Sequence, residues 1–174
     1  HLIISTNGIP NHDFESTLAC TGGGDCTSEK SYTWSIPRSP VNDTSGGHDS
    51  SNCPEADGDY ECAPDRGAVA VAINGVPIYG PEDGPGGDAV AAEHGAYNED
   101  RQPIELGICH GHAAQGGTYH YHADGNCMHW HPKEGESIEN DYDESTIQAV
   151  ALNTYDGEHS QVIGVAYDGY PIYG

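Results

Sequence analysis

Apolar residues are sparse along this chain, and where they gather they alternate with polar ones. Leu2-Ile3-Ile4 comes first, leading into Asn7-Gly8-Ile9-Pro10-Asn11-His12. Tyr32, Trp34 and Ile36 then alternate with Thr33, Ser35 and Pro37, the period-two sign of a half-buried strand. Val69, Val71 and Ile73 make a third strand-like run, and Val162, Gly164 and Ala166 a fourth. Between these islands lie Gly22-Gly23-Gly24-Asp25 and the polar run from Asp43 to Asp65, loop by composition. Asp88 to Gly95 has room for one short helix, and Ser145 to Asn153 fits helix or strand equally well.

Two of the islands belong to an internal repeat. Ala72-Ile73-Asn74-Gly75-Val76-Pro77-Ile78-Tyr79-Gly80 matches Ala166-Tyr167-Asp168-Gly169-Tyr170-Pro171-Ile172-Tyr173-Gly174. Asn-Gly and Asp-Gly suit the positive φ angles of a two-residue turn, so each copy is expected to be a β-hairpin. A proline in each return arm points to an edge strand or a bulge. Turn chemistry alone accounts for the Asn-Gly and Asp-Gly pairs but not for the shared Pro-Ile-Tyr-Gly, which favours a duplicated element. The expected fold is mainly β: one domain over residues 1–174, sandwich-like, with hairpins, long loops and at most one or two short helices.

Composition changes that picture in one respect. Leu, Ile, Val and Phe total 25 of 174 residues, and the formal net charge is −23. Such values ordinarily signal disorder, but 6 Cys and 11 Tyr argue for a folded chain. A thin core of this kind needs reinforcement, and disulfides and metal ions are the usual means. Five cationic side chains cannot neutralise a phosphate track, so no nucleic-acid partner is expected. The longest apolar runs are a few residues, too short for a membrane span.

An even number of cysteines favours three disulfides and an oxidising compartment. The chain starts at His1 with no apolar leader ahead of it, consistent with a secreted protein whose signal peptide has been removed. Cys109–Cys127 is expected as one disulfide, because it closes the loop that carries the histidines described next. The other four, Cys20, Cys26, Cys53 and Cys62, allow three pairings, and proximity favours Cys20–Cys26 with Cys53–Cys62.

Six of the 11 histidines fall between His110 and His131, as three His-x-His pairs: His110 and His112, His120 and His122, His129 and His131. In a strand, residues i and i+2 share a face, so each pair aims two imidazoles one way. Gln115-Gly116-Gly117 lies midway between the first two pairs, as a hairpin turn would. Pairing Thr118 with His112 would set His120 opposite His110 and turn Tyr119 and Tyr121 to the other face. A lone His-x-His is more often surface decoration than a ligand pair. Three in succession between two cysteines favour a metal, which uses the neutral lone pairs of the rings.

With these motifs in order, the chain resembles the YHYH-domain family, whose motif stands here as Tyr119-His120-Tyr121-His122. The resemblance rests also on Asn7 to His12, on Tyr32 to Pro37, on both Pro-Ile-Tyr repeats and on Cys109-His110-Gly111-His112. It reaches Cys109, Gly111, His112, His120, His122 and Cys127, while His110, His129 and His131 lie beyond the family's pattern. It implies a secreted, β-rich domain and supplies no reaction.

The expected metal ligands are His112, His120 and His122, with His110 as a fourth in the register above. His129, His131 and the terminal His1 are further candidates. Oxidised cysteines do not ligate metals, and all-imidazole sites suit copper or zinc, copper having the greater intrinsic affinity. Acidic turns at Asp57 and Asp59, Asp83 and Asp88, and Asp141 and Asp143 offer the clustered oxygens that Ca²⁺ requires, although none matches an EF-hand loop. Three classes of function follow: a secreted metal-binding protein, a structural subunit forming homo-oligomers or polymers, and a copper- or zinc-dependent enzyme. No nucleophile motif or phosphate loop supports the third.

Overall fold

The computed structural model describes residues 1–12, 14, 26–41, 67–80, 109–123, 127 and 161–174, and the backbone of 55–56 and 59–60. Every regular element in them is a β-strand, as the alternating islands require. No helix among the described residues is long and apolar enough to cross a membrane. Asp88 to Gly95 and Ser145 to Asn153 lie outside the described residues.

Strand β1 (Leu2–Thr6) pairs antiparallel with β2 (Tyr32–Ile36), Leu2 opposite Ile36 and Thr6 opposite Tyr32. A short ladder joins β3 (Glu55–Ala56) to β4 (Asp59–Tyr60). The remaining strands form one sheet: β5 (Ala68–Ala72), β6 (Pro77–Tyr79), β7 (Gly111–Ala114), β8 (Thr118–Tyr121), β9 (Val162–Ala166) and β10 (Pro171–Tyr173). Their order is β10-β9-β5-β6-β8-β7, antiparallel except where β6 runs parallel to β8. The β1–β2 ribbon lies against this sheet. Trp34 stacks on Tyr167 with centroids 5.9 Å apart, and Tyr32 stacks on Trp34 at 4.9 Å.

The repeat is a pair of hairpins, β5–β6 and β9–β10, joined back to back through β5 and β9. Ala70 faces Ala166, Val71 faces Val165 and Ala72 faces Gly164. Because the repeat equates Ala72 with Ala166, it also equates Val71 with Val165, so each valine meets its own counterpart. A local two-fold axis therefore passes through that pair, generated by the sequence duplication.

The turns differ from the expected two-residue type. In both copies the loop has three residues: Gly75 N–H donates to Ala72 C=O and Ala72 N–H to Val76 C=O, each at 2.8 Å. Gly169, Ala166 and Tyr170 repeat the pattern at 2.9 and 2.8 Å. Two-residue turns of the Asn-Gly type need positive φ at both central positions. Here the glycines alone have it, at 87° for Gly75 and 101° for Gly169. Asn74 and Asp168 instead accept a hydrogen bond from the backbone N–H two residues on, Val76 at 3.4 Å and Tyr170 at 3.2 Å.

The prolines behave as expected in part. Pro171 lies on the edge strand β10, whose ladder shifts register between Ile172 and Tyr173. Pro77 is inside the sheet, where β6 and β8 share only the pair Ile78 with Tyr121, so the missing N–H interrupts no long ladder.

The core is small, as the composition demands. Ala72, Val76, Cys109, Tyr119, Tyr121, Cys127 and Ile163 form its buried cluster, with Phe14, Ile78 and Ile172 packed against it. Two tyrosines and a disulfide fill space that Leu, Ile and Phe would occupy in a richer chain. The Cys109–Cys127 bond is present. Cys26 is also disulfide-bonded, and no described cysteine is free. Cys20, Cys53 and Cys62 lie outside the described residues.

Candidate metal centre

The β7–β8 hairpin builds the site. Its register is His112 opposite His120, Ala113 opposite Tyr119 and Ala114 opposite Thr118. This corrects the expected pairing of Thr118 with His112 and of His120 with His110. The cause is the loop, which is Gln115-Gly116-Gly117 alone, closed by Gly117 N–H donating to Ala114 C=O at 2.9 Å. Gly117 has φ of 77°, and a Cβ there would collide with the Cys26 carbonyl, so only glycine permits this short turn. Ser28 N–H donates to Gly117 C=O at 2.9 Å, and Lys30 Nζ donates to Gly116 C=O. The hairpin tip is thereby fixed to the segment that leads into β2.

Strand alternation then sorts the side chains. Tyr119 and Tyr121 enter the core, and His112 and His120 share the opposite face as a cross-strand pair with ring centroids 4.7 Å apart. His122, just beyond β8, joins them at 4.8 Å from His120 and 5.3 Å from His112. One ring nitrogen from each of the three lies within 4.8 Å of the others.

His110 is not in this group. Its backbone turns at a φ of 52°, and its carbonyl accepts the His122 N–H at 2.9 Å. That turn breaks the strand alternation that placed it beside His112 in the sequence reading. His1 is exposed ahead of β1 and joins no described cluster. His129 and His131 lie outside the described residues, as do Asp57, Asp83, Asp88, Asp141 and Asp143. Asp59 is placed in β4 by its backbone alone.

The hydrogen bonds fix the tautomers of two rings. His120 Nδ1 lies 3.1 Å from the Thr118 carbonyl, and His122 Nδ1 lies 3.0 Å from the Gly80 carbonyl. A carbonyl only accepts, so each Nδ1 carries the proton and, in the neutral ring, each Nε2 is a bare lone pair. Those two Nε2 atoms face one another at 3.0 Å. Two acceptors at hydrogen-bond distance repel unless a cation lies between them.

A proton is a poor candidate. Burial, and then the neighbouring His122 and His112, lower the His120 pKa to about 3 against its ordinary 6.5. A metal ion fits the spacing. Nitrogens about 2.0–2.1 Å from one ion, at right-angled to tetrahedral bond angles, are separated by about 2.9–3.4 Å. Donation of the remote ring N–H to a backbone carbonyl is also the habit of metal-bound histidine.

Two contributors were not identified from sequence. Tyr79 stacks on His120 with centroids 3.8 Å apart, and the next residue, Gly80, supplies the carbonyl that orients His122. The shared Pro-Ile-Tyr-Gly was the available signal, but nothing local linked it to the histidines. His12, within the Asn7 to His12 motif, carries no signal of its own in the sequence. It is buried, with its Nε2 2.8 Å from the Tyr121 hydroxyl and its Nδ1 3.9 Å from Cys109 Sγ.

The family model described as YHYH protein matches residues 33–174. The chain belongs to the YHYH family. Tyr119 to His122, for which the family is named, covers the end of β8 and the residue after it, where core and imidazole cluster divide, with β1 and His12 ahead of the matched stretch. No curated protein and no solved structure matches the chain.

Proposed function

We propose that this YHYH protein is a secreted metal-binding protein whose ion is held by His112, His120 and His122. One observation carries the reading: the two Nε2 lone pairs of His120 and His122 converge at 3.0 Å while both Nδ1 atoms are committed to carbonyls. The ligand set is nitrogen only, with His112 and His120 buried and His122 partly so, and nitrogen ligation favours copper over zinc by the intrinsic order of divalent affinities. Tyr79 covers one face of His120, so the ring is oriented before the ion arrives. A disulfide-reinforced core supports the secreted assignment.

The test is a copper titration of chelator-stripped protein followed by electron paramagnetic resonance, with zinc as competitor. One tightly held Cu(II) per chain with nitrogen hyperfine structure is expected. His120→Ala or His122→Ala should abolish tight binding, and His159→Ala, at a histidine outside the three His-x-His pairs, should leave it unchanged. Equal copper affinity in the His120→Ala and His159→Ala variants would overturn the assignment, and tighter binding of zinc than of copper would correct the metal.

A further inference from the structure

A second cluster of donors lies on the opposite face of β8, within the core. His12, Cys109 and Cys127 are all buried, and one ligand atom from each lies within 4.8 Å of the others. They come from three separate stretches of chain, so the tertiary fold assembles them. We infer that these residues form a redox-gated metal site: a disulfide beside an imidazole when oxidised, and a Cys₂His site for a thiophilic divalent ion such as zinc when reduced.

The support around His12 is already that of a ligand. Its Nε2 is 2.8 Å from the Tyr121 hydroxyl, to which Asn74 Nδ2 donates at 3.0 Å. Its Nδ1 lies 3.9 Å from Cys109 Sγ. A hydroxyl both donates and accepts, so Tyr121 can serve either tautomer. With Nδ1 protonated, the ring points an N–H at the disulfide. With Nε2 protonated and donating to Tyr121, the Nδ1 lone pair is released to a metal. Remote hydrogen bonds of this kind orient ligating histidines.

Reduction makes the ion favourable. The chemistry balances as follows: two thiols of the reductant deliver two electrons and two protons to the Cys109–Cys127 bond and become a disulfide themselves. The two protein thiols then lose their protons to solvent as the ion binds two thiolates and the imidazole. Two thiolates in a buried position are costly unless their charge is compensated, and one divalent cation supplies that charge. Tetrahedral zinc needs its sulfurs about 3.8 Å apart at bond lengths of about 2.3 Å. With the Cα atoms 5.6 Å apart, side-chain rotation provides that separation without moving the backbone. The fourth position is left to water or an incoming ligand. The sulfur-rich donors differ from the all-nitrogen set across the strand, so the two sites select different metals. This inference stands independently of a metal at His112, His120 and His122.

The test uses the full chain, reduced with a phosphine, freed of reductant under argon and titrated with Co(II). Thiolate-to-cobalt charge-transfer absorption in the near ultraviolet reports sulfur ligation, which the three-histidine site cannot give. Reduced protein should develop this absorption up to one equivalent, displaced by zinc, while oxidised protein shows none. His12→Ala should weaken cobalt binding at least about tenfold and retain the disulfide when oxidised. A Cys109→Ser/Cys127→Ser double variant should lose the absorption. Absence of the absorption in reduced wild type, unfolding of the reduced chain with cobalt present, or undiminished absorption in the double variant would each overturn the inference. The last outcome would place the metal on other cysteines.

Discussion

The two copies of the repeated hairpin share a backbone and differ in what surrounds them. Each has a three-residue loop, a glycine at positive φ and an Asn or Asp accepting from the N–H two residues on. In the first copy Val76 is fully buried, Tyr79 stacks on His120, and the Asn74 amide reaches Tyr121. In the second copy Tyr170 stands where Val76 does, and Tyr173, the counterpart of Tyr79, is exposed on the edge strand. Local sequence therefore specifies the turn, and position in the sheet specifies the role. The first copy borders β8 and became part of the site, whereas the second closes the sheet at its edge.

The largest effect separating the copies should come from the imidazole that only the first one faces. In metal-free protein, burial holds His120 neutral down to about pH 3, whereas an unfolded histidine titrates near 6.5. Between those values the unfolded chain binds the extra proton, so stability from this group is complete above 6.5 and is lost as pH falls towards 3. At about 1.4 kcal/mol per pKa unit the loss is on the order of 5 kcal/mol. The measurement is the unfolding free energy of wild type minus that of His120→Phe across this range, which cancels the acidic groups common to both. A pH-independent difference would show that His120 is not desolvated.

Exchanging the turn residues sharpens the comparison. Asn74 uses both ends of its amide, its oxygen for Val76 N–H and its nitrogen for the Tyr121 hydroxyl. Asn74→Asp keeps the first bond and replaces the donor with an acceptor, so it should destabilise by about 1–3 kcal/mol. Asp168→Asn changes an exposed position whose bond to Tyr170 it can still make. It should stay within about 0.5 kcal/mol. Denaturant midpoints of the two variants check this, and equal losses would mean that the Asn74 donor contributes nothing.

Removing each tyrosine tests whether the first copy supports the proposed metal ligands. Tyr79→Leu keeps bulk but loses the planar surface under His120, and should weaken copper about tenfold, as loss of an orienting neighbour does. Tyr173→Leu should leave copper affinity unchanged, both variants being measured in the copper titration described above. A shift of equal size in both variants would indicate a general loosening of the sheet.

Strand positions and most of the histidine cluster were legible in the sequence because both follow from spacing. Alternation located β2, β5 and β9, and His-x-His spacing placed His120 and His122 on one face. The Cys109–Cys127 bond was legible too, since the pair brackets the hairpin. Register was not: a five-residue loop and a three-residue loop both fit Ala113 to Gly117, and contacts of the tip with Cys26, Ser28 and Lys30 decide between them. His110 then drops out of the cluster through a backbone turn that its spacing does not announce. Contacts distant along the chain, His12 with Cys109 and Tyr79 with His120, leave no periodic trace at all.

The smallest expected effect lies in the second copy, at Tyr167, the counterpart of Ile73. Its ring stacks on Trp34 and its hydroxyl is buried without a hydrogen-bond partner among the described residues. Desolvation first, and then the nearby Tyr79 and Tyr32 phenols, raise its pKa to about 12 from an ordinary 10.0. A folded phenol that resists ionisation stabilises the native state fully below pH 10, and this contribution disappears as pH rises through 12. The side chain is only partly buried, so screening reduces the effect to a modest steepening of alkaline unfolding. Tyr167→Phe keeps the stacking on Trp34 and removes the ionisable group. It should flatten the fall in melting temperature between pH 10 and 12, and one tyrosinate should disappear from the late part of the ultraviolet titration. If the variant instead loses a tyrosinate that forms near pH 10, the Tyr167 hydroxyl is solvated and the β1–β2 ribbon does not cover it.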